Sequence, residues 1–169
     1  ISCVLREKKE NGDRFRVWSL GAIDEPEDRL IQRFYDGIQS LKPQLVSWNG
    51  GGFDLPVLHY RALQYRISAP LYWEMGQIDR DFKFDNYVSR YHLRHIDLMD
   101  LLAMYQPRAF APMDELARLC GFVGKLGMDG SAVFQNYQAG DIESIRAYCE
   151  TDVVNTYLLY VNFEYFRGK

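Results

Sequence analysis

Trp48-Asn49-Gly50-Gly51-Gly52-Phe53-Asp54-Leu55-Pro56-Val57-Leu58 is the stretch around which the rest of the chain is read. The run before it, Gln44-Leu45-Val46-Ser47, is short and apolar with a β-branched residue, as a buried strand would be. Three successive glycines then let the backbone turn sharply and let another group approach it closely. Asp54 stands where a helix should begin, and Pro56 fits a first helical turn. Leu55, Leu58 and Ala62 continue at helical spacing. The unit is strand, glycine turn, carboxylate, helix. In an α/β sheet such a turn lies at the carboxyl end of its strand, where binding sites are built.

Two readings of Asp54 follow. As a helix N-cap, its carboxylate accepts backbone N–H bonds. As a site residue, it binds a metal ion or a substrate. The glycines form neither a phosphate-cradling P-loop, since no Gly-Lys-Ser/Thr follows them, nor a G-x-G-x-x-G fingerprint. The choice depends on partners elsewhere in the chain.

Outward from this stretch the chain alternates strand and helix. Residues 1–5 and 15–20 read as two strands, with Asn11-Gly12-Asp13 as the turn of an antiparallel hairpin. Asp24-Glu25-Pro26-Glu27-Asp28 opens a helix with acids at its positive dipole end, and Pro43 ends it. Its apolar stripe is Leu30, Ile31, Phe34, Ile38 and Leu41. The helix begun at Asp54 should reach about Ile67. His95-Ile96-Asp97 reads as a short strand running into a helix that Pro107 stops. Residues 113–120 form a compact helix closed by Gly121, and 125–130 a loop. Ser131 can cap a short helix ending near Gly140, and Asp141 can cap a last helix running to about Phe166. No repeat, linker or low-complexity segment interrupts the series.

Composition narrows the function. The chain has 169 residues, enough for one domain with a sizeable core, and 47% apolar with 25% charged residues is ordinary for a globular protein. No apolar run is long enough for a membrane span, and no basic–apolar–small signal segment opens the chain. Cys3, Cys120 and Cys149 are odd in number and lack metal-ligand spacing, which fits reduced thiols in a cytoplasmic protein. Three His without a His-x-x-x-His pair argue against a zinc enzyme. A net charge of −3 excludes a general nucleic-acid coat protein. It leaves room for an enzyme that grips only the end of a strand and sets metal ions against phosphate. Between Gln77 and His95, Arg80, Lys83, Arg90 and Arg94 interleave with Phe82, Phe84, Tyr87 and Tyr91. These are either a packed surface excursion or a stacking platform for single-stranded nucleic acid.

The second chemistry-bearing stretch is Tyr148-Cys149-Glu150-Thr151-Asp152 in the last helix. Tyr148 and Asp152 are four apart and share a face. Asp152 lies at the edge of the stripe made by Ile145, Cys149, Thr156 and Phe163, where a lone carboxylate is costly unless paired, hydrogen-bonded or metal-bound. A salt bridge is one solution. The other is a divalent cation, for which a tyrosine one turn before an aspartate offers two hard oxygens and a place for an ordered water.

These two stretches together resemble a family. Asn-x-x-x-Phe-Asp at Asn49, Phe53 and Asp54 is similar to the second motif of the proofreading 3′–5′ exonucleases. Tyr148-x-x-x-Asp152 is similar to their third motif in the tyrosine-bearing (DEDDy) subclass. The nearest likeness is to the predicted 3′–5′ exonucleases related to the exonuclease domain of family B DNA polymerases. It covers nearly the whole chain, including Ile96-Asp97 as a strand and Asp114 to Leu119 as the helix before a Gly-x-x-Gly-Lys turn. The family's first motif, Asp-x-Glu on the first strand, has no counterpart on a strand before Asp54. It is expected upstream of Ile1, because the chain opens inside a strand.

The resemblance implies an α/β, ribonuclease-H-like fold, a mixed sheet flanked by helices, as a single domain over residues 1–169. It implies hydrolysis of phosphodiester bonds at the 3′ end of a single strand, DNA before RNA, with two Mg²⁺ or Mn²⁺ ions about 3.5–4 Å apart. Asp152 is then an inner-sphere metal ligand, and Asp54 a carboxylate of the second ion, directly or through water. Tyr148 orients the attacking water, Phe53 and Leu55 pack against the terminal base, and Asn49 hydrogen-bonds within the loop. The competing readings are a decayed nucleic-acid- or protein-binding module of the same fold, and a structural domain in which Asp54 caps and Asp152 pairs.

Overall fold

The strand and helix series expected from the sequence is present, and the computed structural model describes residues 1–125, 127–128 and 130–169. Leu126 and Asp129, in the loop read at residues 125–130, lie outside the described residues. The chain divides into two compact units, Asp24–Phe110 and Ile1–Ile23 with Ala111–Lys169.

The Asp24–Phe110 unit contains α1 (Glu27–Leu41), β1 (Leu45–Ser47), α2 (Asp54–Tyr65), β2 (His95–Asp97) and α3 (Leu98–Leu102). The acids Glu27 and Asp28 occupy the first turn of α1, and Lys42 ends it in the left-handed region at φ 45° just before Pro43. The inward face of α1 is Ile31, Tyr35 and Ile38, which are buried, with Phe34 packed against them; Leu41, expected in the stripe, is exposed, and with Leu55 and Ala62 of α2 the buried three form one side of the core. The other side comes from the irregular segment, through Tyr72, Phe82 and Tyr87. Tyr72 and Tyr87 stack with centroids 5.5 Å apart, and the Tyr87 hydroxyl donates to the Pro43 carbonyl at 2.6 Å. β1 and β2 pair in parallel, with Leu45 opposite His95 and Ser47 opposite Asp97. Ser47 Oγ and His95 Nε2 lie 2.8 Å apart beneath the ends of these strands, and burial holds His95 below its ordinary pKa.

α3 is shorter than the sequence suggests. It ends at Leu102, five residues before Pro107, because Met104 and Tyr105 take left-handed φ angles of 50° and 62° and cannot continue a right-handed helix. A 3₁₀ turn covers Pro107–Ala109.

The second unit pairs β3 (Ser2–Glu7) with β4 (Arg14–Ser19) as the expected antiparallel hairpin, turned at Gly12 with φ +104°. α4 (Met113–Leu119), α5 (Val133–Gln138) and α6 (Ile142–Phe166) follow, and α6 packs along both strands. Phe15 meets Tyr157 edge to face at 5.4 Å, and Ser19 donates to Glu150 at 2.8 Å. Asp141 caps α6 as expected, accepting the Ser144 N–H at 3.1 Å. Ser131 does not cap α5: it lies inside a 3₁₀ turn at Gly130–Ala132, and Ala132 takes the N-cap position. The class is α/β, with parallel and antiparallel pairing and flanking helices, compatible with a ribonuclease-H-like exonuclease fold.

Candidate active site

The expected site residues fall on two structures, the glycine turn of the first unit and α6 of the second. At the turn, β1 ends at Ser47 and the backbone reverses through Asn49 at φ 60°, a region that Asn tolerates better than most L residues. The Asn49 carbonyl accepts the N–H groups of Gly52 at 3.1 Å and Phe53 at 3.0 Å, and the Gly50 carbonyl accepts Leu55 N–H at 2.9 Å. Close approach requires glycine at Gly50, where a Cβ would collide with the Ser47 side chain down to its own Cβ, while one at Gly52 would press only on the far end of the Asn49 side chain. The Asp97 carboxylate at the end of β2 takes Asn49 N–H on Oδ1 at 2.8 Å and Gly51 N–H on Oδ2 at 2.9 Å.

Asp54 is the first residue of α2, exposed, and Phe53 rather than Asp54 holds the N-cap position without a side-chain cap bond. Its charge therefore lies at the positive end of the helix dipole. Phe53 is 63% exposed, whereas Leu55, expected to pack against the terminal base with it, is 7% exposed with its side chain in the core and is not open to a base. Of the interleaved segment, Phe82 and Tyr87 are buried, and the Arg94 guanidinium lies over their rings at 4.1 and 5.7 Å. Arg90 is bonded through its guanidinium to Asp100, with the shortest contact 2.6 Å. Packing thus accounts for half of these aromatics, while Phe84 and Tyr91 stay exposed.

On α6 the helical spacing brings Tyr148, Asp152 and Asn155 onto one face. Asp152 is half-buried and Tyr148 hydrogen-bonds to its carboxylate, yet its Oδ1 is buried with no hydrogen-bond partner. Loss of solvent pushes the Asp152 carboxyl above its ordinary pKa, and Asp114 adds to this. The Tyr148 bond and the Lys125 charge pull the other way. The Lys125 ammonium lies 5.8 Å from the Tyr148 ring centroid.

Lys125 is held by groups that sequence reading did not assign. Asn155, 2% exposed, donates to the Gly124 carbonyl at 2.9 Å and accepts Gly124 N–H at 3.3 Å. Asp114 accepts Lys125 N–H at 2.6 Å and is held low in pKa by that bond and by Arg118. Gly124 sits at φ +69° with Asp114 against its missing Cβ. The Gly121-x-x-Gly124-Lys125 turn was the available signal. Its partner 31 residues later on α6 was not.

The donor set suits a hard divalent cation: an aspartate with an orphaned buried oxygen, and a tyrosine hydroxyl beside it. Among the described residues no three His, Cys, Asp or Glu stand together as a ligand group. No helix among them is long and apolar enough to cross a membrane.

A family model described as "Predicted 3'-5' exonuclease related to the exonuclease domain of PolB" matches residues 1–169. The chain belongs to this exonuclease family. Among curated proteins it is 28% identical over 147 residues to the DNA polymerase epsilon catalytic subunits of Emericella nidulans and Aspergillus fumigatus. It is also 28% identical over 146 residues to the corresponding polymerase epsilon protein of Dictyostelium discoideum. Each match covers 83% of this chain and 6% of the relative, so the chain corresponds to a small part of those polymerases. The family membership makes this a 3′–5′ exonuclease-like domain.

Proposed function

We propose that residues 1–169 form one exonuclease domain that hydrolyses phosphodiester bonds stepwise from the 3′ end of a single strand, DNA rather than RNA. The observation that carries this reading is the buried, unpartnered Oδ1 of Asp152 beside the Tyr148 hydroxyl, in a chain of the exonuclease family. A half-buried carboxylate with an unpartnered buried oxygen is costly unless an ion or a proton takes it.

Asp152 would hold Mg²⁺ or Mn²⁺ directly, and Asp54 would hold the second ion of a pair. When bound, two such ions supply an activated water and relieve charge on the scissile phosphate and the leaving oxygen. Tyr148 orients the attacking water through its hydroxyl, as a positioner rather than a base. Phe53 stacks on the terminal base, Leu55 fixes the start of α2 beneath it, and Asn49 shapes the loop. The three free thiols fit a reducing, cytoplasmic compartment.

The test is a 5′-labelled single-stranded DNA incubated with the full natural polypeptide. A descending ladder that EDTA abolishes is the expected result. Endonucleolytic cuts in a circular substrate, or activity indifferent to EDTA, would contradict the reading. Strand binding without any cleavage would instead assign a non-catalytic module of the same fold.

A further inference from the structure

We propose that Asp97 is a positioning residue for the 3′-terminal nucleotide: its carboxylate fixes the turn at residues 49–52 and, through it, the stance of Phe53 and Asp54. This rests on the exonuclease reading above. β1 and β2 run parallel with Ser47 opposite Asp97, so both strands end at the same level. The turn leaves β1 at that point, and the last residue of β2 reaches across to it. An ionised carboxylate only accepts hydrogen bonds. Here each oxygen takes one N–H of the turn, Asn49 on Oδ1 at 2.8 Å and Gly51 on Oδ2 at 2.9 Å.

Capping α3 does not explain this arrangement, because the cap bond from Asp100 N–H is the longest of the three at 3.5 Å. Nor does joining the strands, which the Ser47–His95 pair already does from below. The bonds lead onward instead. Asn49, whose N–H is held by Asp97, accepts Phe53 N–H at 3.0 Å, and Gly50, between the two held residues, accepts Leu55 N–H at 2.9 Å. Asp54 is bracketed by two residues whose backbones hang from the turn that Asp97 holds. Asn49 also occupies a left-handed conformation that the surrounding bonds must maintain.

The experiment compares wild type with Asp97→Asn in the full natural polypeptide. The amide keeps the shape but presents one oxygen and one NH₂, so one turn N–H meets a donor. Stacking on Phe53 is read in EDTA, from the fluorescence of 2-aminopurine at the 3′ end of a single-stranded oligonucleotide. Overall strand binding is read from the anisotropy of a 5′-labelled one. Asp97→Asn should lose the 3′-terminal quenching while retaining strand affinity. Its kcat should fall on the order of 10²-fold, as for a misplaced reactive group, with KM nearly unchanged.

Gly51→Ala provides a second variant with the carboxylate intact, since its Cβ would stand 3.3 Å from Asp97 Oδ2. It should move both readouts the same way by less, and it decides the matter if Asp97→Asn does not fold. Wild-type quenching and turnover retained in the folded variants would overturn the proposal while leaving the exonuclease reading intact. So would a loss of kcat, affinity and thermal stability in parallel, with quenching per folded molecule unchanged. A wild type that neither quenches nor cleaves would remove the exonuclease reading, and this inference with it.

Discussion

Asp97 beside the glycine turn engages both carboxylate oxygens with backbone N–H groups, whereas Asp152 on α6 keeps a buried oxygen with no hydrogen-bond partner. The first carboxylate is structurally satisfied and the second is not. A satisfied carboxylate fixes the backbone around it. An unsatisfied, partly desolvated one stores binding capacity, because a cation can recover what burial has cost. The two regions thus differ in kind: one carboxylate is committed to a turn, and the other keeps a buried oxygen unpaired. Asn155 shows that α6 also has its own clamp, on the Gly124–Lys125 backbone.

The largest effect should come from the unsatisfied side. Asp152→Asn removes the charge while keeping the shape, and single-turnover assays at saturating Mn²⁺ should find almost no cleavage. Tyr148→Phe should leave measurable turnover, since a hydroxyl that assists proton transfer contributes at most about 10²–10⁴-fold. If Tyr148→Phe were the more damaging, the roles assigned on α6 would have to be exchanged. Asn155→Ala should act on stability first. It leaves two buried backbone groups of Gly124 unpaired, each worth roughly 1–3 kcal/mol, and urea unfolding should read the loss.

The smallest effect is electrostatic. Asp152 has a raised pKa in the folded chain, so between its ordinary value of 3.8 and its folded value the native state binds more protons than the unfolded state. Metal-free stability should therefore decline as pH rises from about 3.8 through that folded value, and Asp152→Asn should flatten this decline. A wild type that gains stability over that interval relative to the variant would reverse the assigned sign.

Local signals account for what was legible in the sequence. The glycine run, the Asn-Gly-Asp hairpin turn, the Asp141 cap and the Tyr148/Asp152 spacing each act within a few residues and appear where expected. α3 was overestimated because Pro107 was the only visible stop, while Met104 and Tyr105 reach the left-handed region without a glycine to announce it. Taken alone, Asp54 read first as a cap, and only the backbone shows that Phe53 takes that position. Asp97 and Asn155 could not be found by spacing. Their partners lie 48 and 31 residues away, and parallel strand register and helix packing create those contacts. The aromatics from Phe82 to Tyr91 divide between core and surface for the same reason, since the unit supplies a core only to some of them.

The central claim is that Asp152 is the dominant ion ligand contributed by residues 1–169. Asp152 offers one negative charge and one unpaired oxygen to a doubly charged ion, so it should hold a single ion loosely. Calorimetric titration of the metal-free 169-residue chain with Mn²⁺ tests this directly, alongside Asp152→Asn. The account predicts a single weak site that disappears in Asp152→Asn. Two tight sites, or one that survives Asp152→Asn unchanged, would contradict it.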